Sequence, residues 1–463
     1  MREIAESIAS EIIQNIESKE SASQVALQFI LEGLDAARTG NEVVKDMLKT
    51  LYFEEFEYVG VLGRTWADVS GEFGPKQLML KHLVRLVQDF GVDKADLARF
   101  DIMKFVARHF KLGRFYINSE IGKAKKPLDL FGALKCNESK AHPHFKTLMT
   151  PEYEDVRRVL SRWASGFEDR DNKFDHEFQT TFNSSFWEIY LYQCFKDLEM
   201  EVDFSKPAPD FSVKTKSGNV INVEAVTANH ASDSSPEWVA QELKEEKDFL
   251  NFSCVRILNS IDAKHKKFLA SYSNLDHVKN APFVIAVAPF EQRNFFIQNN
   301  EAIIRVLYGK GIDKHASWLE VDVPTASKNE NVSLDLGLFA TDKYKNISAV
   351  IFSTIATVGK AISQTSMPRF IRCSRYHPQL GLIPELTENT RYFETHLDGL
   401  QIHHNPYAVH KLTQDAFRKY EVTHYYYDIQ LNEIDNQQKS YTIISRTLWS
   451  SLKEDAHKDD GAA

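Results

Sequence analysis

Apolar positions along the chain recur in two different periods, and the switch between them divides it. From residue 1 to about 112 the period is helical: Ile4, Ile8 and Ile12 share one face, as do Ala26, Ile30 and Leu34. Asn41 to Phe56 and Pro75 to Phe90 continue that character, with Asn41 suited to cap the first of them. Between them, Val59-Gly-Val-Leu-Gly-Arg-Thr65 interrupts the pattern as a turn or short extended piece. A mixed, polar stretch from Arg114 to Met149 marks the expected domain boundary. Thr150-Pro151-Glu152 has the cap-then-proline order of a helix start and predicts a helix to Trp163. Ser184-Ser-Phe-Trp-Glu188 then opens a predicted amphipathic helix running to about Leu198.

Beyond it the period shortens. A strand is expected near Val202 to Phe204, followed by two arms rich in β-branched residues, Asp210 to Thr215 and Val220 to Val226, around a Ser-Gly turn. Pro236 to about Ser271 reads as helical with a bend near Asn251. Ala281-Pro-Phe-Val-Ile-Ala-Val-Ala288 is a continuous apolar run between breakers, which suits a central or parallel strand. Glu291 to Leu307 is helical, Ile347 to Ser353 a second apolar strand, and Arg369 to Tyr376 and Tyr441 to Ile444 are further strand candidates. Helix, strand, hairpin, helix, strand, helix, strand predicts an α/β domain, a mixed sheet flanked by helices. The expected division is a mainly helical N-terminal domain over 1–145, for recognition, sensing or oligomerisation, an α/β domain over 146–455, and a frayed tail over 456–463.

Composition narrows the function class. The 463 residues are 43% hydrophobic and 26% charged, and no apolar run approaches the ~20 residues needed to span a bilayer. Acidic residues within Met1-Arg-Glu-Ile-Ala-Glu-Ser-Ile8 argue against a secretory signal. Four scattered cysteines without a C-x-x-C pair fit reduced thiols and a cytoplasmic location. The net charge of −9 means that any nucleic-acid contact has to come from local basic patches. No Gly-rich phosphate loop and no Gly-x-Ser-x-Gly elbow is present. His403, His404 and His410 match no zinc spacing, and Asn405-Pro406 reads as a turn.

The candidate chemistry sits on the hairpin. A three-residue loop at Lys216–Gly218 sets Asp210 opposite Glu224, whereas a two-residue turn pairs Asp210 with Ala225 and separates the acids onto different faces. In the first register the two Cβ atoms lie roughly 5 Å apart. Carboxylates at that distance repel unless a proton or cation lies between them, and Mg²⁺ commonly takes one or two carboxylates plus phosphate oxygens.

A helix Glu in Phe178-Gln-Thr-Thr-Phe-Asn-Ser-Ser-Phe-Trp-Glu188, then Pro209-Asp210, then Val223-Glu224-Ala225 returning through a hairpin, resembles the PD-(D/E)XK superfamily, the restriction-endonuclease-like fold. The resemblance covers about 178 to 290, with Ile347-Ser-Ala-Val-Ile-Phe352 and His404-Asn-Pro-Tyr-Ala408 similar to elements of uncharacterised bacterial members. It implies a metal-dependent endonuclease acting on nucleic acid, DNA first, in bacterial restriction or phage defence, with Asp210, Glu224 and Glu188 holding Mg²⁺ or Mn²⁺. A homodimer and a licensing partner protein are the assemblies it suggests. The family's lysine, two residues after the Glu, is replaced by Val226. Some members move that cation to a neighbouring helix, where Arg256, Ser260, Lys264 and Lys267 form one polar stripe here. Lys264 is the expected catalytic lysine, Arg256 the phosphate clamp, Lys267 and Asn229 further substrate contacts, and Gln241 and Lys244 weaker substitutes.

Each of these residues also has a plain structural role open to it. Ser185 and Glu188 have capping-box spacing, the lysines suit a solvated helix face, and His424-Tyr-Tyr-Tyr427 suits either base stacking or sheet packing. Val226 favours the alternative function, a catalytically inactive nuclease-fold protein that binds nucleic acid or a protein partner.

Overall fold

A computed structural model of the chain describes residues 128–449, apart from 241–244, 314–318, 378–380, 439–441 and positions 330, 366, 368, 390, 391, 393 and 420. The helical expectation over 1 to about 112, the tail 456–463 and the substitutes Gln241 and Lys244 lie outside the described residues.

Within them, seven helices are numbered α1 (Pro143–Met149), α2 (Glu154–Trp163), α3 (Phe174–Thr180), α4 (Phe182–Asp197), α5 (Glu246–Ala270), α6 (Glu301–Tyr308) and α7 (Val358–Ile362). The strands are β1 (Glu201–Val202), β2 (Phe211–Lys214), β3 (Val220–Asn229), β4 (Phe283–Phe290), β5 (Lys310–Asp313), β6 (Leu319–Asp322), β7 (Thr325–Asn329), β8 (Val332–Asp335), β9 (Ala349–Phe352), β10 (Phe370–His377), β11 (Gly381–Glu388), β12 (Gln401–His404), β13 (Thr423–Asp428), β14 (Glu433–Gln437) and β15 (Thr442–Trp449).

Eight strands form one mixed sheet in the order β1-β2-β3-β4-β9-β12-β13-β14. β3, β4 and β9 are parallel neighbours, and β2 returns antiparallel onto β3. The central strand β4 is buried at all eight positions, which is why its sequence is a continuous apolar run instead of an alternating one. The sheet separates two cores. Ile221, Val223 and Ala225 of β3 pack with α1, α2 and α4 on one face; Val226 and Ala228 pack with α5 and α6 on the other. Leu130, Ala141 and Phe145 belong to the first core, so the chain from 128 onward is continuous with the sheet domain. A separate three-stranded sheet, β11-β10-β15, and two hairpins, β5-β6 and β7-β8, complete the described part.

Several expected boundaries shift. α4 begins at Phe182, two residues before the expected Ser184, with no side-chain cap at Thr181. Ser185 therefore lies inside the helix and is buried, and the capping-box role for Glu188 does not apply. α4 is also buried nearly all round instead of amphipathic, because it lies between the sheet and the α1–α2 layer, with Trp187 Nε1 donating to the Ala286 carbonyl at 3.0 Å. α5 starts at Glu246, ten residues later than expected, and runs unbroken through Asn251. The expected 291–307 helix is a 3₁₀ turn at Phe295–Gln298 followed by α6.

Candidate active site

The hairpin takes the three-residue loop. Phe211 pairs with Val223 and Lys214 with Val220, and beyond the ladder the Thr215 N–H donates to the Asn219 carbonyl at 2.9 Å. The Gly218 N–H returns to the Thr215 carbonyl at 2.9 Å, and Gly218 takes φ +89°, a conformation that costs a residue with a Cβ. The next position outward from the Phe211–Val223 pair is Asp210 against Glu224. There β2 has ended, and the Asp210 carboxylate turns onto the backbone, where Oδ2 accepts the Ala225 N–H at 2.7 Å. The approach loop is pinned from both sides. Arg170 donates to the carbonyls of Lys206 at 2.6 Å and Asp210 at 3.1 Å, and His277 Nε2 donates to the Ala208 carbonyl at 2.7 Å.

Glu224 has no exposed surface. Its Oε1 accepts from Lys264 Nζ at 2.6 Å, Lys267 Nζ at 3.1 Å and the Tyr272 hydroxyl at 3.3 Å. Its Oε2 is buried without any hydrogen-bond partner. The lysine side chains remain partly in solvent, Lys264 at 23% and Lys267 at 49% exposure, and Lys267 Nζ lies 4.9 Å over the Tyr272 ring. Three residues apart on α5, the two lysines share a face directed at the sheet.

Burial, and then the charge of Glu224, push the Asp210 carboxyl up to about 6, against the pull of Lys264. Burial followed by the charge of Asp210 raises Glu188 well above the usual carboxylate range, with Arg170 and Lys264 opposing. Glu188 rises from α4 on the opposite face of the sheet from Glu224, so Asp210, at the end of β2, is the acid that couples to both. The structure thus gathers Asp210, Glu224, Lys264, Lys267 and Glu188 around one strand end.

Arg256 and Asn229 do not join them. Arg256 Nε donates to the Asn229 carbonyl at 2.7 Å and its NH2 to the His230 carbonyl at 3.3 Å, while Asn229 Nδ2 donates to Thr227 Oγ1 at 2.9 Å. Asn229 is five residues beyond Glu224 on an extended strand, roughly 16 Å along it, and Arg256 is eight residues before Lys264, roughly 12 Å along the helix. Their helical stripe and strand are the expected ones, but they serve the far end of β3. Residue-by-residue reading missed Arg170, Tyr272 and His277. Two of the three act on main-chain carbonyls, which leave no sequence pattern.

The donors suit a hard divalent cation. Glu224 Oε2 is buried without a partner beside a second, coupled carboxylate, and the positive charge at this pair comes from Lys264 and Lys267. Among the described residues no three His, Cys, Asp or Glu side chains converge as a ready metal cage. Val226 is partly buried and packed against the core of the α5 face, and the ammonium nearest Glu224 is that of Lys264 on α5. Of the histidine group, His403 stacks on Tyr425 at 4.5 Å and His404 on Tyr426 at 4.2 Å. In comparisons with known proteins, the chain matches no family model, no curated protein and no solved structure.

Proposed function

We propose that the chain is a metal-dependent phosphodiesterase of the restriction-endonuclease-like type, acting on nucleic acid and on DNA first. The observation that carries this reading is Lys264 Nζ at 2.6 Å from a fully buried glutamate whose second oxygen lacks a partner. Asp210 and Glu224 are the residues that would hold Mg²⁺ or Mn²⁺, with Glu188 coupled to Asp210 from the other face. When bound, the cation polarises the scissile phosphate and activates water. Lys264 occupies the role left open at Val226, orienting the attacking water and offsetting charge that develops on the phosphate. Lys267, more exposed, would meet the incoming phosphate chain, and Tyr272 holds Glu224 by Oε1, leaving Oε2 as the oxygen that would serve a cation. A cytoplasmic role in bacterial restriction or phage defence, as a homodimer on duplex substrates and with a partner that licenses activity, is the setting this reading suggests.

A second reading, a nuclease-fold protein that binds without cutting, draws on the closed state of Glu224, whose Oε1 is occupied by both lysines. One assay separates them. Purified chain is incubated with plasmid and single-stranded DNA in Mg²⁺, Mn²⁺ or EDTA. Metal-dependent cleavage is expected, falling to background in Asp210→Ala and Glu224→Ala and by about 100- to 1,000-fold in Lys264→Met. Cleavage surviving both carboxylate substitutions rules out this site, and metal binding with no turnover on any substrate favours the binder.

A further inference from the structure

Glu224 is covered by the lysines that neutralise it. Its side chain has no exposed surface, and Lys264 Nζ at 2.6 Å, Lys267 Nζ at 3.1 Å and the Tyr272 hydroxyl at 3.3 Å converge on its Oε1. With Asp210 ionised, two carboxylates stand against two ammonium groups and the local charge is balanced. A divalent cation brought to this pair meets both ammonium groups, and like charges at close range oppose it. The carboxylates therefore accept a further cation only as a positive charge leaves or a negative one arrives.

The two lysines differ in how easily they leave. Lys264 makes the shorter contact and is 23% exposed. Lys267 makes the longer one, is 49% exposed and lies in the last turn of α5. An ion pair half in solvent is weakly held, and the flexible lysine stem swings outward without moving its helix. Among the described residues Glu224 is the one carboxylate partner of Lys267. Its neighbour Lys266, in contrast, is committed to Asp262 at 2.7 Å.

We propose that Lys267 is a latch, resting on Glu224 before substrate arrives and transferring to a phosphate of the incoming strand, so that strand and divalent cation bind cooperatively. The transfer leaves Lys264 on Glu224 and replaces one positive charge beside the carboxylates by a neutral lysine–phosphate pair. The inference rests on the nuclease reading for the cation, but the release of Lys267 is measured without metal and without hydrolysis.

The test is fluorescence anisotropy of a labelled single strand of phosphorothioate DNA, whose linkages resist hydrolysis, titrated with the full chain in EDTA and in Mn²⁺. Calorimetry measures Mn²⁺ binding with and without the same strand. In wild type, Mn²⁺ is expected to tighten the strand about tenfold and the strand to tighten Mn²⁺ by the same factor, because coupling is reciprocal. In Lys267→Gln that factor falls to about one, and Mn²⁺ binds the strand-free chain more tightly than it binds wild type. An ion pair with only a structural role changes the melting temperature on this substitution and leaves metal and strand independent in wild type.

Glu224→Gln removes the charge that holds the latch. In EDTA it is expected to bind the strand about tenfold more tightly than wild type, and adding Lys267→Gln to it abolishes the gain. If Glu224→Gln does not fold, Lys267→Gln, at a half-exposed side chain, decides. Equal strand affinity of wild type and Glu224→Gln in EDTA, or coupling that survives in Lys267→Gln, overturns the proposal. Mn²⁺ that binds the chain without sensing the strand overturns the latch and leaves the metal reading standing. A strand gain in Glu224→Gln that depends on Lys267, in a chain that binds no Mn²⁺ with or without the strand, supports the release of Lys267 and overturns the metal reading.

Discussion

Asp210 and Glu224 differ in what satisfies them, and that difference governs how the site responds to pH. Glu224 has two ammonium groups and a phenol on one oxygen. Asp210 has a single backbone N–H, and burial beside Glu224 lifts its carboxyl from 3.8 to about 6. A divalent cation binds the ionised form, so binding competes with that proton. Below about pH 6 the apparent affinity for Mn²⁺ is expected to rise about tenfold per pH unit, and above it to level off. Calorimetric titration at pH 5, 6, 7 and 8 measures this. A flat profile across that range contradicts the assignment of Asp210 as a ligand. Glu188, also raised by burial and by Asp210, extends the competition in the same direction.

Between elements, the hairpin loop and α5 do the positioning. The loop sets which residue at the start of the hairpin lies opposite Glu224, and it depends on Gly218 at φ +89°. A Cβ added there meets only Lys214 Cε at 3.9 Å, so there is room and the cost is torsional. Gly218→Ala is expected to lower stability by about 1–2 kcal/mol in urea denaturation while Mn²⁺ affinity stays unchanged. An unshifted midpoint shows that the loop is not held in that conformation. The two possible registers were both legible from the sequence, because Ser-Gly allows either loop length; packing chose, since the observed one puts Phe211 and Val213 of β2 in the same α4-side core as Val223 and Ile221. The helix α5 shows the limit of the same reading. Its polar stripe was visible as spacing, but spacing is indifferent to position along the axis. Lys264 and Lys267 reach Glu224, while Arg256 on the same stripe meets the carbonyls at the end of β3.

At the scale of the whole described part, a buried ionic group ties β15 of the small sheet to α7 and the segment 394–398. Glu394 accepts from Ser363 Oγ at 2.7 Å and from Lys360 Nζ at 3.3 Å, and it pairs with Arg446 of β15. Lys360, on α7, also donates to the carbonyls of Thr395 and Asp398 at 2.9 and 3.0 Å. Burial opposes ionisation of Glu394, yet Arg446 and Lys360 hold its carboxyl down to about 2. A depressed folded-state value contributes stability that is present above about pH 4.5 and is lost as pH falls through about 2. Glu394→Gln leaves two cations without their counter-charge and is expected to cost about 3–5 kcal/mol near neutral pH. The cost should shrink toward pH 2, and a variant with wild-type stability at pH 7 excludes this group as the tie between β15 and α7.

The sequence alone determined the layered α/β class and the central apolar strands β4 and β9, and it marked the acids on the two arms of the hairpin and the polar stripe of α5 without fixing the register that brings the acids together. Those features are periodic or local, and alternation, turn residues and apolar runs record them directly. It did not determine that Arg170 and His277 hold the Pro-Asp loop, that Tyr272 shares the oxygen with both lysines, or that Asn229 and Arg256 lie at the other end of the strand. These depend on distance between segments far apart in the chain, as with Lys264 and Glu224, forty residues apart and 2.6 Å from each other. Only the parallel crossover from β3 through α5 to β4, which lays the helix back across its own strand, settles which charges meet.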